Sequence, residues 1–391
     1  MELVCKLQTY DWGKKGLSSK VAQLKKNSDE GFQVDENLSY AELWMGTHVN
    51  APSVIKGSNV NLSDFISSHP EVLGEEVLKI FKELPFLFKV LSVDKALSIQ
   101  AHPSKEHAVE LHSKFPDIYK DPNHKPEMAI ALTTFEALCG FRPLQEIKNF
   151  IQNIPELQGI IGSELLKNDC GLIQKAFRTV LTCSKDKIRS IIDSLLIRVK
   201  NYDENQKITY MVSLVERLHS QFPYDNGILM VYFLNYLKLN PSEAIFLGAN
   251  VPHAYISGDC VECMACSDNV VRAGLTPKFV DVETLCDMLI YKGEPEENKL
   301  FTPTRESEFS VIFTPPVPDF AVVQIEVPES RSLFQTSPRL SASILLVISG
   351  QAQYENGQVV PGTVLFLAAN ATVTFTKICG DLLIYQSLAN V

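Results

Sequence analysis

The sequence predicts a mainly β protein interrupted by one helical insert. Short runs of β-branched and aromatic residues, bounded by Gly, Pro and Asn, recur on both sides of a stretch, 143–228, where apolar residues change to helical spacing. The polar residues singled out below fall on both sides of that stretch, so the helices interrupt one β unit rather than separate two. A chain of 391 residues exceeds a single compact core, so two or three domains are expected. The boundaries read as 1–142 with 229–300 for the interrupted β domain, 143–228 for the insert and 301–391 for a second β domain.

Taken in order, residues 1–60 read as short strands and turns. Tyr10-Asp11-Trp12-Gly13 and the run from Tyr40 to Gly46 place the only two tryptophans near glycines, which predicts aromatic packing against tight backbone. Glu42 and Trp44 share a strand face, read here as a core aromatic beside a surface acid. Residues 62–90 look helical as far as Pro85. A central strand follows: Phe86 to Ser92 is an apolar run, and Leu97-Ser98-Ile99-Gln100-Ala101-His102 alternates until Pro103 stops it. Ser98, Gln100 and His102 therefore point to one face. Ser104 is a plausible N-cap for a helix carrying Ala108, Leu111 and Phe115, with His107 and His112 on its solvated flanks.

Within the insert, Leu144, Ile147, Phe150 and Ile151 form one stripe, and Ile208, Met211, Leu214, Val215 and Leu218 another. The insert shows no candidate chemistry of its own. Strand character returns from Gly227 to Leu234 and from Glu243 to Gly248. After residue 300 come Phe320 to Val327, Ser343 to Ile348, a hairpin turn at Asn356-Gly357, Pro361 to Leu367 and Thr372 to Phe375. Regular short strands of this kind suggest a jelly roll or similar sandwich.

Net charge is −10, and no run of Lys or Arg is dense enough to follow a phosphate backbone, which excludes nucleic acid as a partner. The first residues contain no apolar signal segment, and no uncharged apolar run reaches the roughly 18 residues a membrane span needs, so no membrane partner is expected and the cytoplasm is the expected compartment. Nine scattered cysteines argue for reduced thiols. Cys260-Val-Glu-Cys263-Met-Ala-Cys266 resembles a cluster-binding spacing, but Val270 and Val271 stand where a fourth cysteine and a proline belong. Small buried thiols are the better reading.

Buried polar rows cost free energy unless something binds them. Gln100 and His102 are ready metal ligands; Glu127, in Asn123-His124-Lys125-Pro126-Glu127, and His253, in Asn250-Val-Pro252-His253-Ala-Tyr255, complete a set of N and O donors that suits zinc. Just beyond, Glu262, Ser267-Asp268-Asn269, Arg272 and Lys278 lie in or beside one loop. Two cations there, with Lys125 opposite, form a local positive pocket suited to a small phosphate ester. Ion pairs of these cations with Asp259, Asp268 or Glu283 are the competing explanation.

These motifs, together with Tyr10-Asp-Trp-Gly13 and Ala41-Glu-Leu-Trp-Met-Gly46-Thr-His48, resemble the type I mannose-6-phosphate isomerases (phosphomannose isomerases) over nearly the whole chain. The resemblance implies a zinc-dependent aldose–ketose isomerase interconverting mannose 6-phosphate and fructose 6-phosphate, on a cupin-like jelly-roll catalytic domain, an inserted α-helical domain and a C-terminal cupin-like β domain. It implies one Zn2+ on Gln100, His102, Glu127 and His253, and a catalytic Arg272. Ser98, Lys125, Glu262 and Lys278 also match active-site positions. Such an enzyme passes through a cis-enediolate, whose charge Arg272 offsets, with Lys125 near the reacting end; Ser98 and Lys278 bind phosphate, and Tyr255, Asp268 and His124 are further substrate-binding candidates. Glu262 is the first choice as proton carrier, with Asp268, His124 and a zinc-bound water as competitors. A monomer is expected, supplying mannose 6-phosphate to GDP-mannose and glycan synthesis. Two rival readings fit the same residues. One is a non-haem iron oxygenase using His102, His253 and Glu127, against which Gln100 counts as a fourth ligand. The other is a non-catalytic sugar-phosphate sensor, in which a catalytic residue should be missing.

Overall fold

Side-chain alternation along a few buried strands decides how the layers form. The computed structural model describes residues 1–391. Strand Phe86–Val93 buries every residue, but its two faces serve different cores. Phe86, Phe88 and Val90 enter a core that also contains Phe313, Ile344 and Phe366. Leu91 and Val93 turn to the interior of their own sheet, with Ala131, Phe135 and Tyr255. Period-two geometry therefore carries Lys89 to the inner face. The same rule acts on strands Glu42–Met45, Glu127–Ala131 and His253–Ala265. Leu43, Met45, Met128, Ile130, Val261 and Cys263 face the shared core, leaving Glu42, Trp44, Glu127 and Glu262 on the inner side.

That sheet has ten strands, with the path Leu234–Leu239, Phe135–Phe141, His253–Ala265, Phe86–Val93, Glu42–Met45 and Lys6–Gln8; Ile99–Ala101 and Glu127–Ala131 also pair with His253–Ala265. Every one of these pairings is antiparallel. The long strand His253–Ala265 starts against Phe135–Phe141 and continues against Phe86–Val93, so it turns the corner of a jelly roll. Gly258 sits at the bend with φ 110°, and a Cβ there would lie 2.4 Å from the Thr134 carbonyl oxygen, so only glycine fits.

A second ten-stranded sheet contains Ala321–Val327, Thr374–Leu388, Ser343–Tyr354 and Val364–Leu367. Its far edge is made by Glu2–Val4 and Val54–Ile55, with Glu2 opposite Leu365. Residues read from the sequence as part of the first β domain thus complete the sheet of the last one. The helices from Leu144–Asn153 to Val212–Gln221 enclose a third core that continues beneath Ile99, Ala101, Ala254 and Ile256, behind the candidate site. No helix is long and apolar enough to cross a membrane.

Several local expectations hold and several do not. Ser104 caps helix Lys105–Lys114 by accepting the His107 N–H at 3.3 Å. Phe115, expected in that helix's stripe, lies past its end and is exposed, and the His112 ring is held at 2.7 Å by the Tyr119 carbonyl rather than left to solvent. The central stretch is two strands, Phe86–Val93 and Ile99–Ala101, joined by a turn. Residues Asn226–Tyr232 form a 3₁₀ helix, not a strand: a wholly buried apolar run has no period to read, and Asp225 caps it through the Gly227 N–H. The second insert stripe is broken at Met211, whose φ of 54° separates Glu204–Thr209 from Val212–Gln221 and leaves Ile208 exposed. The hairpin turn falls one residue early, since Tyr354 pairs with Gly357.

Because the outer face of the inner sheet and the C-terminal sheet share one core, Phe88→Ala should destabilise both. We expect a loss of about 3–5 kcal/mol in denaturant unfolding, with tryptophan fluorescence and circular dichroism reporting one coincident transition. An unshifted second transition would show that the two sheets fold independently.

Candidate active site

Cross-strand register assembles the site in two rows. Residues directly opposite on antiparallel strands share a face with their Cβ atoms about 5 Å apart. In the first row Trp44 lies opposite Lys89, and Lys89 opposite Glu262. Lys89 Nζ accordingly stands 5.0 Å over the Trp44 ring and 3.1 Å from Glu262 Oε2. In the second row Gln100 lies opposite both His253 and Arg272. The short strand Ile99–Ala101, paired on both sides, thus brings an amide, an imidazole and a guanidinium together, and His102 shares the face of Gln100 two residues on.

His102, Glu127 and His253 offer ligand atoms that all lie within 4.8 Å of one another, and all three residues are buried. His102 Nε2 is 3.4 Å and His253 Nε2 3.3 Å from Glu127 Oε2. The other nitrogen of each ring is already committed: His102 Nδ1 lies 2.6 Å from the Asn269 carbonyl oxygen, and His253 Nδ1 2.9 Å from that of Val251. An Nδ1–H that donates to a carbonyl leaves Nε2 as a lone pair. Both Nε2 atoms are buried without a hydrogen-bond partner. Burial, the largest cause, pushes the His102 imidazolium down to about 4, so near neutral pH no extra proton bridges the ring to the carboxylate. Burial by itself would raise the Glu127 carboxyl, but Lys125, with Nζ 3.1 Å from Oε1, is the first of the opposing causes that hold Glu127 well below the usual range. Three acceptor atoms therefore face one point, an arrangement that a divalent cation satisfies. Gln100 adds a neutral oxygen nearby, its Oε1 accepting from Ser98 Oγ at 3.3 Å.

Beside this cluster runs a buried acid–base row. Burial raises the Glu262 carboxyl above its ordinary value even against Lys89, which pulls it down. Tyr255 donates from its hydroxyl to Glu262 Oε1 at 2.8 Å, and burial followed by the Glu262 charge keeps that phenol protonated. Burial lowers the Lys89 ammonium, but Glu42 and Glu262 reverse the effect and keep it charged.

A cavity of about 490 Å³ opens over both rows. Ser98, Gln100, Lys125, Asp268, Arg272 and Lys278 line it, as the sequence suggested, and so do Glu42, Trp44, Lys89 and Lys95, which sequence reasoning missed. Arg272 and Lys278 form no ion pair; the acids that might have absorbed them are engaged elsewhere, Asp259 with Lys14 at 2.6 Å, Asp268 with His48 at 3.4 Å and Glu283 with Arg178. Burial alone acts on Arg272, lowering its pKa through an under-solvated charge that favours an incoming anion.

Other expectations require correction. Glu42, read as a surface acid, is 7% exposed and accepts a hydrogen bond from Trp44 Nε1. His124 lies outside the cavity lining, its Nε2 held 3.0 Å from an Asp319 carboxylate oxygen of the C-terminal region. Tyr255 is likewise absent from the lining and donates to Glu262; His102, Glu127, His253 and Glu262 also lie behind the lining, in contact with or opposite the lining residues Gln100, Lys125 and Lys89. The reading of small buried thiols holds: Cys260 and Cys263 are free, buried and on opposite faces of one strand, so the cysteine spacing cannot converge on an ion. Lys89 was legible in principle, as the single cation within an apolar strand on the face opposite Phe86, Phe88 and Val90.

Comparison with known proteins agrees with this geometry. The chain matches three descriptions of one family in order: phosphomannose isomerase type I catalytic domain over residues 1–144, helical insertion domain over 145–234 and C-terminal region over 310–353. It is 46% identical to a mannose-6-phosphate isomerase of Mus musculus, covering 98% of this chain and 97% of that protein. Crystal structures of a mutant phosphomannose isomerase from Salmonella typhimurium (TM-score 0.86, 30% identity) and of a zinc-bound mannose 6-phosphate isomerase (TM-score 0.85, 31% identity) each cover 100% of this chain, which spans 99% of either. A jelly roll with this helical interruption, similar end to end to those proteins, places the chain in the type I phosphomannose isomerase family.

Proposed function

We propose that this protein is a zinc-dependent aldose–ketose isomerase that interconverts D-mannose 6-phosphate and D-fructose 6-phosphate. The observation that carries the reading is a cavity lined by two unpaired cations, Arg272 and Lys278, whose other lining residues Lys125 and Lys89 contact, each at 3.1 Å, the buried three-acceptor cluster through Glu127 and the elevated Glu262 carboxyl behind it. His102, Glu127, His253 and Gln100 would hold the ion. When bound, zinc supplies positive charge that polarises or orients the sugar oxygens. On this reading the chain divides into a catalytic β domain (1–142 and 229–300), which lends strands Glu2–Val4 and Val54–Ile55 to the C-terminal sheet, a helical insert (143–228) and a C-terminal β domain (301–391). None of the nine cysteines is disulfide-bonded, in keeping with a cytoplasmic enzyme. Its product would enter GDP-mannose and glycan synthesis.

In the mechanism that follows, Glu262 takes the proton from C2 of the open-chain aldose. The C–H electron pair forms the C1–C2 double bond of a cis-enediolate, and negative charge develops on O1. Arg272, free of any acidic partner, offsets that charge, and Lys125 assists at the reacting end. The same proton returns to C1, the O2 hydroxyl passes its proton to O1, and the ketose results. Lys278 and Ser98 receive the phosphate. Lys89 and Tyr255 hold the Glu262 carboxylate in place.

The direct test is a coupled assay for fructose 6-phosphate formation. Activity should disappear on treatment with a chelator and return with zinc; turnover unaffected by metal removal would refute zinc dependence. Glu262→Gln should lower kcat by about 10²–10⁴-fold and abolish transfer of the C2 proton to C1. The pH profile adds a signed check. A base must be ionised, so activity falls as pH drops through the Glu262 pKa; Lys89→Met removes the cation that lowers this pKa. The acid limb of kcat/KM should therefore move to higher pH, and an unmoved limb would remove Glu262 from the role.

A further inference from the structure

The insert was expected to carry no chemistry, yet Phe222, near its end, lines the cavity. Gln221, at the end of helix Val212–Gln221, accepts the Ala96 N–H at 3.0 Å. Phe222 lines the cavity, with Lys95 Nζ 4.6 Å over its ring. Asp225 then reaches across to the loop that carries the cations. Its Oδ1 accepts the N–H groups of Gly227 and Leu275, each at 2.7 Å, and its Oδ2 accepts that of Thr276 at 3.3 Å. Leu275 is held at φ 53°, a left-handed conformation that costs a branched residue free energy unless its surroundings enforce it. The enforcement is close: a Cβ on Gly274 would lie 2.8 Å from Gly227 Cα and 2.9 Å from Asp225 Oδ1. Arg272 precedes this turn and Lys278 follows it.

We propose that Asp225 is a positioning residue through which the helical insert fixes the anion-binding limb. The carboxylate touches no substrate in this account. It orders the Gly274–Thr276 turn beforehand, so that Arg272 and Lys278 meet the phosphate without further loss of backbone freedom. The proposal rests on the isomerase reading above, since it assigns the limb to the phosphate of the sugar.

The test uses the full-length zinc-loaded enzyme with Asp225→Ala and Asp225→Asn. The quantities measured are KM and kcat for mannose 6-phosphate, the competitive inhibition constant of inorganic phosphate, and zinc content. Asp225→Ala should raise KM and the phosphate constant together by about tenfold, the scale of one charge-assisted hydrogen bond, with a smaller change in kcat and unchanged zinc. Asp225→Asn keeps one acceptor oxygen and should fall between; if the alanine variant fails to fold, the asparagine variant decides the question alone. A merely structural role would lower the melting temperature without moving the phosphate constant. The proposal is overturned if both constants in a folded variant stay within about twofold of wild type, or if kcat falls at unchanged phosphate inhibition. Wild-type turnover separates the two claims: its absence refutes the isomerase reading, whereas its presence with unmoved constants refutes only the role of Asp225.

Discussion

Three buried acceptor atoms directed at one point set the terms for everything around them. His102 Nε2, His253 Nε2 and Glu127 Oε2 have no donor among themselves, because backbone carbonyls already engage the opposite nitrogen of each ring. Left alone, such an arrangement costs several kcal/mol in a low-dielectric interior. A cation turns the same repulsion into a ligand field. Lys125 at 3.1 Å offsets part of the Glu127 charge, and the Asn269 carbonyl that aims His102 is itself tied down, with Asn269 Nδ2 donating to the Asp121 carbonyl at 2.6 Å. The outer contacts thus orient the inner ones.

The strands that bear this cluster do two jobs at once. Their outer faces make the hydrophobic core common to both large sheets, and their inner faces hold the ionisable row. Shifting the register by one residue would send Lys89 and Glu262 into that core and Phe88 and Val261 into the cavity. Packing of the C-terminal sheet therefore guards the chemistry without touching it, and the strand Glu2–Val4, paired to that sheet, ties the start of the chain to its end. The helical insert plays a comparable part on the opposite side, where its core underlies Ile99 and Ala101 and Phe222, near its end, lines the cavity.

Much of this was legible in the residues, and the limits have physical causes. Ser98, Gln100 and His102 were readable because a half-polar strand has a period; the run from Gly227 was not, because a fully buried apolar segment looks alike as strand or helix. Glu42 and Lys89 escaped because a charge among apolar neighbours reads locally as an exception. Only the register, which pairs Trp44, Lys89 and Glu262 in one row, reveals that they satisfy one another. His124 carried the opposite ambiguity: its neighbours in sequence belong to the site, yet its ring answers to Asp319, nearly two hundred positions away in the chain. Long-range pairing of that kind leaves no trace in spacing. The contact of Asp225 with the Leu275 turn is hidden for the same reason.

The most direct measurement is an anomalous-difference map collected across the zinc edge from crystals of the purified protein. One zinc peak per chain, bonded to both Nε2 atoms and to Glu127 with Gln100 within reach, is the predicted result. No peak in zinc-replete crystals, or an ion bound elsewhere while His102, Glu127 and His253 keep their present arrangement, would contradict the account.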